Sequence, residues 1–203
     1  MEGIRLDLTI IILAFFFLGG CIKEEDADPN STGVLINGVI WAKSNLDKTG
    51  IFATKPEEYG MFYQWNRKMA WSNISEISDW DISDEQGDVW TNENDPCPKG
   101  WRVPTHTEFE TLANENKVSY EWIDNRQGAL FTDKITGASI FFPASGLRQS
   151  LVTNVGNLGF YWSSSATDGN GYYMSITNYR FYPNYYGGRS YGFSVRCVLD
   201  RLS

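Results

Sequence analysis

Two cysteines set the tightest limit on how this chain can fold. Cys97 stands near the middle of the sequence and Cys197 close to its end. A bond between them would require folds that bring those two segments within a few ångströms of each other. Disulfides persist in oxidising, exported settings, and the N-terminus reads as exported. Arg5 is followed by Ile10 to Leu18, nine apolar residues without a break, and then by Gly19, Gly20 and Cys21. A charged start, a short apolar stretch and small residues before a cut describe an export signal. The apolar run is too short to cross ~30 Å of hydrocarbon, which needs roughly 20 helical residues. Cys97 and Cys197 therefore form an even pair in an oxidising setting, and a disulfide is expected. Two buried free thiols are the alternative that the sequence leaves open. A bridge closing a loop of roughly 100 residues contributes about 4.7 kcal/mol in the chain-entropy model.

Leu18-Gly19-Gly20-Cys21 resembles the lipobox of bacterial lipoprotein signals. The resemblance implies cleavage before Cys21 and acylation of that cysteine, and two or more acyl chains hold a protein stably on a membrane. Ile22-Lys23-Glu24-Glu25-Asp26 resembles the acidic export signal of surface lipoproteins in the Bacteroidetes. That implies lipid anchoring at the outer membrane with the domain exposed at the cell surface. Residues 1–20 are then the signal peptide and residues 21–32 an acidic tether, with Pro29, Asn30 and Ser31 giving it a loop composition. Residues 33–203 are left for a single domain of ordinary size.

Lys and Arg number 17 against 25 Asp and Glu, a net charge of −8. Such a surface repels nucleic acid, and no basic stripe offsets it. Aromatic residues make up 15%, with eight Trp and eleven Tyr. Short runs of them between Gly/Asn/Asp/Ser clusters predict a β-rich or irregular α+β domain. No internal repeat of the solenoid or propeller kind is present.

Local signals place the elements. Val34 to Trp41 reads as a hairpin turning at Asn37-Gly38, the strongest short turn signal. Tyr59 to Trp65 reads as a strand, and Trp71 to Asp95 as a polar surface loop. Thr105 and Glu108 have capping-box spacing, so a helix is expected from Thr105 to about Asn116, with Phe109, Leu112 and Ala113 on its inner face. Further strands are expected over residues 140–146, 159–165, 172–177 and 190–199. In the last of these Phe193, Val195 and Cys197 alternate onto one side.

Pro96-Cys97-Pro98-Lys99-Gly100-Trp101-Arg102-Val103-Pro104-Thr105, with Glu108 and Phe109, resembles a signature of the Fibrobacter succinogenes major paralogous domain. Gly192-Phe193-Ser194-Val195-Arg196-Cys197-Val198 resembles that family's closing motif and Tyr161-Trp162-Ser163-Ser164-Ser165 its middle one. Trp41-Ala42 with Asn45-Leu46 resembles its opening. The resemblance implies a C-type-lectin-like mixed α+β fold: short twisted antiparallel strands, one or two helices and long irregular loops. It also implies N- and C-terminal strands lying side by side, and an architecture related to formylglycine-generating enzymes.

Catalysis needs an activated group and a partner. His106 is the one histidine, it falls in the first helical turn, and the cap is expected to leave it exposed. Ser163-Ser164-Ser165 has no histidine or lysine beside it in sequence to act as base. No phosphate loop, dinucleotide fingerprint or metalloprotease helix occurs, and no catalytic residue is assigned. Asp79, Asp81, Asp84, Glu85 and Asp88 could take calcium through oxygen ligands. A solvated acidic loop is the better reading, since the lectin motifs Glu-Pro-Asn and Trp-Asn-Asp are replaced by Tyr182-Pro183-Asn184 and Trp162-Ser163-Ser164. No metal site or cofactor is assigned.

The segment from Gly169 to Tyr191 carries the strongest binding signal. Tyr172, Tyr173, Tyr179, Tyr182, Tyr185 and Tyr186 are interleaved with Asn178, Asn184, Arg180 and Arg189. Tyrosine offers a flat apolar face and a hydroxyl at low entropic cost, and asparagine adds adaptable hydrogen bonds. Arginine joins tyrosine among interface hot spots. Tyrosine also favours strands for packing reasons alone, so part of this set is expected to face the core. The segment resembles the variable C-terminal segments of lectin-like proteins diversified by retroelements. The expected partner is a glycan or protein ligand at the cell surface, with a subunit or tip of a surface fibre as the alternative. An enzyme of the formylglycine-generating type comes third.

Overall fold

In the computed structural model, which describes residues 33–74 and 76–201, Asn37 and Gly38 take φ of 42° and 88°. Positive φ at both positions is what a two-residue hairpin turn needs. They join β1 (Gly33–Ile36) to β2 (Val39–Ala42) in the expected register. The signal segment, Cys21 and the tether lie outside the described residues. The turn is docked from two sides. Asn37 donates its amide to the Asp133 carboxylate at 2.9 Å and its side-chain nitrogen to the Thr111 carbonyl at 2.8 Å.

β2 then pairs with β14 (Val198–Leu199), which pairs with β5 (Trp101–Arg102). The N-terminal hairpin and the last strand of the domain thus lie side by side in one antiparallel sheet, with β2 against β14. Cys97 and Cys197 are bonded there, with Cα atoms 6.1 Å apart, which settles the cysteine question in favour of the bridge. Two small pairs follow in the connections, β3 (Leu46–Lys48) with β4 (Ile51–Phe52) and β9 (Leu147–Arg148) with β10 (Val152–Thr153). β6 (Val118–Ile123), β7 (Gly128–Asp133) and β8 (Ser139–Pro143) make an antiparallel sheet, and β11 (Gly159–Thr167), β12 (Asn170–Ile176) and β13 (Phe181–Gly188) another. The described chain is mostly antiparallel β-sheet with one short α-helix.

That helix, α1 (His106–Thr111), has the expected capping box: Thr105 and Glu108 satisfy each other's backbone amides. It stops earlier than expected. Lys117 and Val118 both donate backbone amides to the Asn114 carbonyl, and the Asn114 side chain accepts from the Asn116 amide. These local bonds compete with helix propagation, so the chain turns into β6 and leaves Ala113 exposed, while Phe109 and Leu112 are buried.

Two other expectations change. Residues 59–65 are largely buried but form no ladder. Met61, Tyr63 and Trp65 donate their amides to Leu46, Phe193 and Arg189, three separate segments. Residues 190–197 are likewise extended without forming one strand. Gly192 bonds Arg148, Phe193 bonds Tyr63, and Ser194 donates to Phe160, while the Val195 and Cys197 carbonyls accept from Leu46 and Ala42. Phe193, Val195 and Cys197 do share one core with Tyr63, Trp65 and Trp162. The other core packs Trp41, Phe109, Phe131, Phe142 and Tyr161 between α1 and the sheets.

Two outcomes test this frame. Thiol titration of the unfolded, unreduced domain should find no reactive pair, and replacing Cys97 and Cys197 by Ser should cost about 2–5 kcal/mol in denaturant unfolding. Glu108 accepts two bonds from Arg102, at 2.7 and 2.8 Å, and one from the Thr105 amide at 2.8 Å. Burial raises its carboxyl, but these bonds outweigh it and hold the group below the ordinary carboxylate range. Its stabilising contribution is therefore present above an unfolded value of about 4.3 and lost as pH falls through the lower folded value. Thermal melts between about pH 6 and pH 3 should show a smaller loss of stability in Glu108→Gln than in the parent.

Candidate ligand-binding face

β12 and β13 form a hairpin on which opposite residues share a face. Tyr172 pairs with Tyr186, Tyr173 with Tyr185 and Ser175 with Tyr182. The register slips between Tyr173 and Ser175, where one extra residue on β13 brings Tyr182 and Tyr185 onto the same side. The tyrosines are thereby sorted onto two faces.

One face continues a ladder of rings rooted in the core. Phe193 stacks on Phe160 at 5.2 Å and meets Tyr173 edge-on at 4.8 Å. Tyr173 meets Tyr185 at 6.0 Å, and Tyr185 stacks on Tyr182 at 4.5 Å. The Arg180 guanidinium lies over the Tyr182 ring at 4.6 Å and closes the series. Burial falls along it: Phe193 is buried, Tyr173 is half-buried and Tyr185 is 43% exposed. Desolvation among these rings, and then the Tyr185 phenol, hold the Tyr173 hydroxyl above its ordinary range.

The opposite face meets α1. His106 stacks on Tyr172 at 4.7 Å, Tyr172 meets Tyr186 edge-on at 6.2 Å, and Asn184 donates to Glu110 at 3.4 Å. His106 was expected to be exposed. The stack half-buries it, and its Nδ1 has no hydrogen-bond partner among the described residues. Tyr186 remains 62% exposed at the end of this row.

The turn joining the strands is held by the Thr177 hydroxyl, which accepts from the Arg180 amide and donates to the Arg180 carbonyl. Asn178, Tyr179 and Arg180 project from it into solvent, with Tyr179 71% exposed. Arg189 goes elsewhere. Trp65 donates its amide to the Arg189 carbonyl, and the guanidinium turns inward over the Trp65 ring at 4.2 Å while donating to the Glu85 backbone carbonyl. Only 3% of Arg189 is exposed, so it joins neither face of the hairpin nor its turn.

Tyr179, Arg180 and Tyr182 also wall a groove of about 600 Å³ between the hairpin turn, the end of α1 and β6. Tyr120 and Phe181 stack at 5.2 Å within it, and the Tyr120 hydroxyl donates to the Thr177 carbonyl. Tyr120 was not singled out from the sequence. The signal that could have found it is the alternating run Val118 to Ile123, rich in aromatic and β-branched residues. The acidic loop is engaged in holding the fold: Asp81 and Glu85 pair with Arg67, and Asp84 accepts the Ser190 amide. Among the described residues no three metal-ligating side chains gather.

This architecture can be compared with known proteins. The model of the Fibrobacter succinogenes major domain family matches residues 34–199. The chain belongs to that family. The match runs from β1 to β14 and so includes both partners of the disulfide and the whole tyrosine hairpin. No curated protein and no solved structure matches the chain. For this family member the ladder predicts a division of labour. Tyr173→Ala, which empties a contact with Phe160, Trp162 and Phe193, should cost roughly 3 kcal/mol in denaturant unfolding. Tyr185→Ala and Tyr186→Ala should each stay within about 0.5 kcal/mol of the parent.

Proposed function

We propose that this is a lectin-like recognition protein, anchored by lipid on Cys21 at the outer membrane and exposed at the cell surface, which meets a glycan or protein ligand through the β12–β13 hairpin. It is a binding protein rather than an enzyme. The observation that carries the reading is the sorted tyrosine hairpin. Its inner rings root it in the core, while Tyr185 and Tyr186 stay exposed on its two faces and Tyr179 on its turn. Large apolar faces left in water cost free energy, and contiguous ones mark interaction sites. An N-terminal hairpin paired with the last strand, one helix and a long irregular stretch before β5 support a C-type-lectin-like fold. A formylglycine-generating type of chemistry needs reactive thiols, and the Cys97–Cys197 bond occupies this pair.

One feature favours assembly as the second reading. β13 is the outer strand of its sheet, and no charged residue occurs from Phe181 to Gly188. Uncharged edges are open to strand addition by another chain, and a fibre or complex subunit would use that.

A broad glycan array, probed with calcium and with chelator, tests the first reading. Binding that disappears in the Tyr182→Ala/Tyr185→Ala/Tyr186→Ala variant, with an unchanged melting curve, is the expected result. Silence of the parent under both conditions would favour the assembly reading, for which the full chain should oligomerise or co-purify with a partner. Anchoring is tested separately. The parent should fractionate with membranes and Cys21→Ser should be released from them.

A further inference from the structure

The groove beside the hairpin turn carries positive charge on a chain that is negative as a whole. The chain as a whole carries −8, and Arg67, Arg102 and Arg126 are each paired with carboxylates. Arg180 is exposed and has no ion pair among the described residues. Its guanidinium is held between aromatic rings, 4.6 Å from Tyr182 and 5.7 Å from Tyr179. Lys134 lines the opposite part of the groove. Its ammonium donates to the Glu115 backbone carbonyl at 2.6 Å rather than to a carboxylate. Glu115 is the acid among the lining residues, so Arg180 and Lys134 leave the groove net positive.

The remaining walls are a mixture suited to sugar rings. Tyr120, Phe181 and Leu112 give an apolar floor, and Ser119 adds a hydroxyl. The volume of about 600 Å³ lies within the roughly 300–1,000 Å³ of clefts that hold small ligands. Tyrosine faces stack on the apolar side of a pyranose ring. A guanidinium presents a planar fork that matches a carboxylate or sulfate oxygen pair. Stacking on Tyr182 restricts the Arg180 side chain before a ligand arrives, which lowers the entropic cost of binding.

We propose that this groove binds an anionic saccharide, with Arg180 and Lys134 taking its acidic groups and the exposed Tyr179 its ring face. The inference deepens the recognition reading above by naming the ligand class, and it rests on that reading. Attraction of this kind weakens as salt screens it.

Calorimetric titration of the full chain tests it with four probes: a short oligomer of a hexuronic acid, its methyl ester, a sulfated oligosaccharide of equal length and an oligoglutamate peptide. The expected result is binding of the uronate or the sulfated oligomer, whichever acid the groove prefers, with the ester at least about tenfold weaker and the peptide without effect. Affinity for the preferred oligomer should fall about tenfold in Arg180→Gln and in Lys134→Gln. It should be unchanged in Lys99→Gln, which alters an exposed charge outside the groove. Both groove positions are exposed, so melting curves should match the parent. Equal binding of acid and ester, equal binding of the peptide, or indifference to Arg180 would overturn the proposal. A neutral saccharide bound in a Tyr182- and Tyr185-dependent way would overturn it while leaving the wider recognition reading intact. No binding of any saccharide by the parent would also overturn it, and the array would then decide the wider reading.

Discussion

A buried arginine with no carboxylate partner holds the two ends of this domain together. Arg196 is fully buried. Its Nε and Nη2 both donate to the Asn45 side-chain oxygen, at 2.9 and 2.7 Å, and its Nη1 reaches the carbonyls of Phe141, Ala42 and Lys43 at 3.1, 3.3 and 3.3 Å. Its plane lies 4.6 Å from the Phe142 ring. An unpaired buried charge is costly unless its hydrogen bonds are satisfied, and desolvation pulls this guanidinium down to about 10. It therefore stays protonated at neutral pH, and the neutral acceptors carry the whole burden. Those acceptors come from the end of β2, from the turn after it and from β8, so the charge is satisfied only when all three are in place.

The network extends toward the binding face. Asn45 donates to the Tyr59 carbonyl at 2.9 Å and to the Tyr161 hydroxyl at 3.4 Å, and Tyr161 donates to the Pro143 carbonyl at 2.5 Å. Tyr161 belongs to β11, the strand that supports the tyrosine hairpin. Beside it Trp162 donates to the Tyr63 carbonyl at 2.7 Å, and Trp65 donates to the Ser163 carbonyl at 3.0 Å. The closing segment also supplies Phe193, the root of the ring ladder. The polar network and the disulfide thus hold the platform from which the outer tyrosines and Arg180 project.

Features set by a few adjacent residues were legible in the sequence. Asn37-Gly38 specifies its own turn, Thr105 and Glu108 specify their own cap, and the cysteine pair had one partner to choose. The run of tyrosines was legible in composition, and the alternation of the strands sorts it onto two faces and a turn. What failed depended on distant partners. Residues 59–65 and 190–197 look like strands because they alternate or run apolar, yet successive amides bond to different segments, and no local pattern encodes that. Arg189 looked like its tyrosine neighbours until Trp65 claimed it. Arg196 lay inside a recognised motif, but its role depends on Asn45, which is far away in sequence and opposite in the fold.

The central claim is that Asn45 and Arg196 act as one unit. A double-mutant cycle of Asn45→Ala and Arg196→Met, read by denaturant unfolding with the disulfide intact, measures their coupling directly. The coupling should be about 1–3 kcal/mol, with each single variant strongly destabilised because it strands a buried polar group. Additive losses within about 0.5 kcal/mol would contradict it and would mean that the ends of the domain are held by the sheet and the bridge alone.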